Sequence, residues 1–149
     1  MELRKITRND LDSLVKNRVE FVSSIRMIED LDGFEKATKA YFEKYLETEE
    51  LIGYVFVEDG KICSVALLSI SFSMPRPSSP NGKVGELLNV YTLSEYRRRG
   101  LAQKVIEQII KAAKEEGVST ISLDYTKDGY PLYVHLGFET LDNKMRLRL

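Results

Sequence analysis

Cysteine and histidine occur once each in the 149 residues, as Cys63 and His135, and the net charge is only −1. A lone cysteine rules out an internal disulfide and a cysteine-rich metal site. A single histidine leaves zinc without its usual ligands, so no metal is expected. The near balance of charge removes the broad basic field that nucleic-acid binding needs, and any anion site has to be local. No apolar run approaches the ~20 residues of a membrane span, and the opening MELRKITRND lacks the apolar stretch of a signal peptide. Neither a nucleic acid nor a membrane is expected as a partner, and the expected location is the cytoplasm. Internal repeats and low-complexity linkers are absent as well, which points to one domain over 1–149. With 43% hydrophobic and 30% charged residues, the chain has the make-up of a globular protein with a buried core.

The order of periodic segments supplies the architecture. Residues 2–7 read as a first strand, and Asn9 is placed to cap a helix with Asp12 near its third position. Leu11, Leu14, Val15, Val19 and Val22 repeat at helical spacing to about Met27, and a second helix starts at Asp32 and ends near Glu47. From Leu51 the period changes to that of strands, with Asp59-Gly60 suited to a tight hairpin turn. The segment MPRPSSPNGKVG holds three of the four prolines and reads as a long loop. GELLNVYTL is another strand, and LAQKVIEQIIKAAKEEG is a broadly apolar, well-buried helix. STISLDYT reads as a strand and GYPLYVHLGF as a short helix that tolerates Pro131 in its first turn. Two closing strands are expected over about 138–141 and 144–149, where Met145, Leu147 and Leu149 alternate with Arg146 and Arg148.

Arg97-Arg98-Arg99-Gly100-Leu101-Ala102-Gln103 stands where a strand and a short loop deliver the chain into a helix. The first turn of a helix offers unpaired N–H groups and the positive end of its dipole, so this turn can hold a phosphate or pyrophosphate. Gly100 admits an anion to the backbone, Ala102 leaves the amides uncovered, and the arginines can add charge-assisted hydrogen bonds. The other reading is a solvated basic turn.

Arg97, Gly100 and Ala102 fit the pattern Gln or Arg, two residues, Gly, one residue, Gly or Ala; downstream, Leu132-Tyr133 precedes Gly137-Phe138. In these two motifs and in its element order the sequence resembles the GNAT acetyltransferase superfamily. Two positions depart from the usual pattern: Thr126 stands where the family often has asparagine, and Ala102 where glycine is commoner. The resemblance implies an α/β fold with a mixed, mostly antiparallel sheet of six to seven strands and helices on both faces. It also implies acetyl-CoA as co-substrate, bound by Val90, Tyr91 and Thr92, by Arg97 through Gln103, and near Thr126. The amide of Val90 would then lie near the thioester oxygen, where an N–H donor stabilises a developing oxyanion.

Two side chains are candidates for proton transfer. Glu86 lies four residues before Val90, roughly 13 Å along an extended strand, a reach that suits a base acting through water. Its position relative to Gly100 also resembles the glutamate base of several family members; the alternative is a solvated strand start. Strand alternation puts Glu86, Leu88, Val90 and Thr92 on one face. Tyr133 is the candidate general acid, a phenol of pKa about 10 beside a departing thiolate of about 8.5; its alternative is packing of the short helix on the sheet. Cys63 falls inside an apolar strand, and His135 points away from Tyr133 on its helix, so neither is given a catalytic role.

With no activated nucleophile in view, the expected reaction is direct transfer to a primary amine of a small molecule in a ternary complex. The first two helices and the loop at 74–85 would shape the acceptor pocket. The alternatives are a peptide or protein acceptor, a longer acyl chain, or an acyl-CoA-binding module without turnover. A homodimer could form by edge pairing through the C-terminal hairpin.

Overall fold

The computed structural model describes all residues, 1–149. Strand β1 is Glu2–Lys5, helix α1 is Leu11–Ile25 and helix α2 is Leu31–Tyr45. They are followed by β2 (Leu51–Glu58), β3 (Lys61–Phe72), β4 (Lys83–Thr92), α3 (Leu101–Glu115), β5 (Thr120–Ser122) and α4 (Tyr130–His135). The sheet runs β1-β2-β3-β4-β5, antiparallel throughout except for the parallel β4–β5 pair, which α3 connects.

The β2–β3 turn forms as its dipeptide dictates. Asp59 (φ 50°) and Gly60 (φ 76°) both take the left-handed backbone that a two-residue hairpin requires. The helix starts lie elsewhere than expected. Instead of Asn9 and Asp12, the turn before α1 is organised by Asp10, whose carboxylate accepts the Thr7 amide at 2.8 Å and both terminal nitrogens of Arg4 at 2.9 Å. A carboxylate bound from two sides outcompetes a cap exposed to water. Helix α2 is capped by Asp30, which accepts the Gly33 amide at 2.9 Å, while Asp32 sits inside the first turn and pairs with Lys36.

The sheet is covered on both faces. Leu14 and Val15 of α1, Phe42 of α2 and Leu46 just past its end pack on Val55, Val65 and Leu67. On the opposite face, Leu101, Val105, Ile106, Ile109 and Ala113 of α3 pack on Phe56, Ala66, Leu68 and Leu87. Each such aliphatic side chain contributes about 1.5–3 kcal/mol by leaving water, so α3 is fixed to the sheet along its whole length.

Five strands form, not six or seven. STISLDYT is a strand only over Thr120–Ser122, and 138–149 contains none. Leu141, Met145, Leu147 and Leu149 are exposed, so their alternation has no covered face to bury against. An isolated hairpin is marginal in water, and a three-residue edge strand offers little for it to pair with. The C-terminal hairpin on which edge-to-edge dimerisation would rest is therefore not formed.

Candidate active site

The turn before α3 has the form an anion site requires. Arg98 (φ 61°) and Gly100 (φ 73°) are both left-handed, and Gly100 is the N-cap of α3 with no side chain capping the turn. A Cβ on Gly100 would meet nothing within 4 Å, so glycine is demanded here by the backbone angle and not by crowding. The first helical bond is Lys104 N–H to Gly100 O, at 3.2 Å. None of the main-chain amides from Arg98 to Gln103 donates to a protein acceptor. These six donors stand at the positive end of a fifteen-residue helix.

The three arginines differ. Arg97 turns back on β4, its Nε donating to Thr92 O at 3.0 Å and its guanidinium lying over the Tyr91 ring at 5.9 Å. Arg99 donates to Glu95 O at 3.0 Å and covers the Tyr96 ring at 5.0 Å. Both brace the turn from below. The exposed Arg98 makes no hydrogen bond or ion pair with the protein, so its guanidinium is the free one of the three. Leu101 is buried in the α3 core, Ala102 is half-buried, and Gln103 donates to Glu107 at 2.8 Å along the helix.

Beside this turn the sheet opens. β4 and β5 pair only from Val84↔Thr120 to Glu86↔Ser122, and no residue of β5 pairs with 87–92. The unpaired edge of β4 leads straight to the basic turn. On its other side β4 carries a bulge: Leu88 lies opposite Leu67 and Tyr91 opposite Val65, so Asn89 and Val90 together face Ala66. Asn89 makes the bulge with φ 54°; it is 3% exposed and donates to Asn17 Oδ1 of α1 at 3.1 Å. The bulge overturns the expected alternation. Glu86 and Leu88 point to the α1/α2 side, Tyr91 packs on that core and on Phe21, and Val90 packs on the α3 core. Thr92, hydrogen-bonded to Ser64 at 2.8 Å, is on the side of Val90. One extra residue reverses the side-chain period, and so Glu86 and Val90 do not share a face.

Tyr133 lies on α4, half-buried, its ring edge-on to Phe138 at 5.8 Å. Burial pushes its phenol above the ordinary pKa of tyrosine. Thr126 acts locally. Its carbonyl accepts the amides of Gly129 and Tyr130 at 3.1 Å each, its Oγ1 accepts from Gly129 at 3.2 Å, and together these bonds build the turn that aims α4. Glu86 is exposed and sits opposite Ser69, whose Oγ is 3.5 Å from the Tyr41 hydroxyl on α2. Cys63 is fully buried and unreachable, and His135 is exposed at the end of α4.

Sequence reasoning overlooked Arg18 and Asn17. Both are polar residues on the inward side of α1, where Asn17 is buried and Arg18 half-buried. The signal was available, because Arg18 occupies the next position of the stripe made by Leu11, Leu14 and Val15.

Comparison with known proteins bears on the family and the fold. The family model described as the acetyltransferase (GNAT) family matches residues 19–138. The glucosamine 6-phosphate N-acetyltransferase of Trypanosoma brucei brucei is 26% identical over 151 residues, covering all of this chain and 96% of that protein. The solved structure of a GCN5-related N-acetyltransferase from Ralstonia eutropha superposes with a TM-score of 0.89 at 25% identity, over 99% of this chain and 97% of that one. A predicted acetyltransferase of Clostridium acetobutylicum, crystallised with acetyl-CoA, gives the same TM-score at 24% identity, over 99% and 95%. No helix is long and apolar enough to cross a membrane.

Proposed function

The chain belongs to the acetyltransferase (GNAT) family, and from that premise we propose that it transfers the acetyl group of acetyl-CoA to a primary amine of a small molecule by direct attack in a ternary complex. The observation that carries this reading is the run of unpaired amides from Arg98 to Gln103 at the head of α3, next to the open edge of β4. Main-chain donors with a helix dipole behind them suit a pyrophosphate, and Arg98 adds a charge without a competing partner. Arg97 and Arg99 hold the turn in shape.

Acetyl-CoA supplies an activated acyl group on a thiol leaving group. The protein has to hold it still, present a neutral amine and assist departure of the thiolate. The main chain of Val90, Tyr91 and Thr92, on the edge of β4 from which β5 has parted, faces the pantetheine arm, with the Val90 and Thr92 side chains turned to the α3 side by the bulge. Glu86 faces the other way, toward α1 and α2, and takes the amine proton through water. Tyr133, an ordinary phenol that is protonated at neutral pH and that burial raises further, donates its O–H toward the leaving sulfur. Direct transfer is favoured by the complete burial of the one cysteine, which withdraws the most nucleophilic side chain from reach. The trypanosomal relative supports an amino sugar phosphate as the first acceptor to try.

The test is calorimetric titration with acetyl-CoA, CoA and a longer acyl-CoA. Thiol release is then followed against amino sugars and their phosphates, polyamines, amino acids, aminoglycosides and peptides. Binding of acetyl-CoA with turnover of a small amine is the expected result. Binding without turnover of any amine would reduce the protein to an acyl-CoA-binding module, and turnover confined to peptides would move the acceptor to another class.

A further inference from the structure

On the α1/α2 side of the sheet, polar groups of α2 and β4 lie within electrostatic reach of one cation on α1. Arg18 of α1 is half-buried, yet its guanidinium makes no hydrogen bond and has no carboxylate within 4.0 Å. Its electrostatic neighbours are Glu86 on β4, Tyr41 on α2 and Arg26 just past the end of α1. The Tyr41 hydroxyl is 3.5 Å from Ser69 Oγ on β3, and Ser69 stands directly opposite Glu86. Arg18 therefore lies within electrostatic reach of the candidate base and of the Tyr41 phenol, and is separated from Glu86 by more than ion-pair distance.

A guanidinium has five N–H donors, and removing it from water without supplying acceptors is costly. An apolar residue would cover the same surface at no such cost. Burial, reinforced by repulsion from Arg26, already shifts the pKa of Arg18 downward. Two cations, neither with an ion-pair partner in the protein, stand against a single carboxylate, and the balance of charge here is short of an anion.

Resting on the transferase reading above, the geometry points to Arg18 as the residue that selects the acceptor: the substrate amine carries an oxyanion group, phosphate or carboxylate, that accepts the Arg18 fork while its amine is reached by Glu86 through water. Tyr41 and Ser69 supply further donors, and Arg26 adds positive field from the open side. The arrangement also orients the molecule, because Glu86 attracts the ammonium end and repels the anionic end. A neutral amine of the same size would leave Arg18 without an acceptor. A fork on an oxyanion discriminates by roughly tenfold to a hundredfold, the range of a charge-assisted hydrogen bond.

Matched acceptors test this: 2-aminoethyl phosphate against ethanolamine, and β-alanine against β-alaninamide, assayed by thiol release with wild type, Arg18→Met and Arg18→Lys. Wild type is expected to favour at least one anionic member by about tenfold or more in kcat/KM, mainly through KM. Arg18→Met should erase that preference, Arg18→Lys should keep part of it, and both should bind acetyl-CoA as wild type does, which shows that the fold is intact. The phosphate pair and the carboxylate pair tell the two kinds of oxyanion apart. Equal use of charged and neutral acceptors by wild type, or a preference that survives Arg18→Met, overturns the assignment. Calorimetric titration of 2-aminoethyl phosphate and of β-alanine into CoA-saturated protein, with the turn before α3 already filled, separates the two levels of the reading. Arg18-dependent binding without thiol release from any amine would uphold the anion site and defeat the transferase. If thiol release is absent and neither molecule binds in an Arg18-dependent way, the anion site fails as well.

Discussion

Replacing Asn89 by glycine and by alanine separates two contributions of one side chain. Asn89 holds a left-handed backbone at φ 54°, and its amide donates to Asn17 Oδ1 at 3.1 Å in a buried setting. Removing the amide leaves the Asn17 oxygen without its donor, at a cost of about 1–3 kcal/mol. Glycine incurs that loss alone, because it adopts positive φ without penalty. Alanine adds a Cβ in the left-handed region, a further cost of about 1 kcal/mol. Urea denaturation should therefore order the proteins as wild type, Asn89→Gly, Asn89→Ala, with the last two separated by about 1 kcal/mol, or some 2–4 °C in melting temperature for a domain of this size. Deleting Asn89 asks the functional question. Val90 would then sit alone opposite Ala66, and the register pairs Leu67↔Leu88 and Val65↔Tyr91 would be kept. The deletion thus straightens β4 without moving side chains to new faces. Misplacement of a site wall by about 1 Å can lower turnover on the order of a hundredfold, and a loss of that size in a folded protein is the expected result. Equal stability of the glycine and alanine variants, or full activity of the deletion, would refute the role given to the bulge.

Other consequences are simpler to check. Tyr133→Phe should leave acetyl-CoA affinity unchanged and slow thiol release by at least about tenfold; because burial raises the phenol, the wild-type rate should show no falling limb from Tyr133 until the pH passes about 10. Glu86→Gln should lower turnover most at low pH, where removing the amine proton limits the rate, and an unchanged pH profile would dismiss Glu86 as the base. Burial would by itself raise the Asp10 carboxyl, but the hydrogen bonds from Arg4 and the Thr7 amide outweigh it and hold the group below its ordinary pKa. Its stabilisation is present above about pH 4 and is lost as the pH falls through the lowered value. Asp10→Asn should therefore destabilise by about 2 kcal/mol at pH 7, and the gap to wild type in urea unfolding should close as the pH is taken well below 4.

Much of the fold is written in local chemistry. Asp59-Gly60 specifies its hairpin, and the apolar periodicity of α3 specifies both its length and its burial. The form of the turn before α3 was legible for the same reason, since a glycine at a helix start needs only its neighbours to be interpreted. What escaped was set by contacts between distant parts of the chain. Alternation in β4 presumes a regular ladder, and nothing local reveals that Asn89 adopts positive φ and binds a partner 72 residues away. Alternation at the C-terminus promised strands, but the edge of β5 ends after three residues and leaves Met145, Leu147 and Leu149 uncovered. Three consecutive arginines looked equivalent until the structure placed two of them against β4 and the 3-10 turn Ser94–Tyr96. Arg18 was overlooked because an amphipathic helix is read for its apolar members, whereas the informative residue was the charged one within the stripe.

The central claim concerns the amides at the head of α3, and amide-resolved NMR titration with acetyl-CoA reads them one by one. Binding should produce its largest shifts and slowed exchange at Arg98 through Gln103, with smaller changes along β4 from Val90 to Thr92. An absence of binding, or saturable shifts that leave those six amides unmoved, would contradict the account.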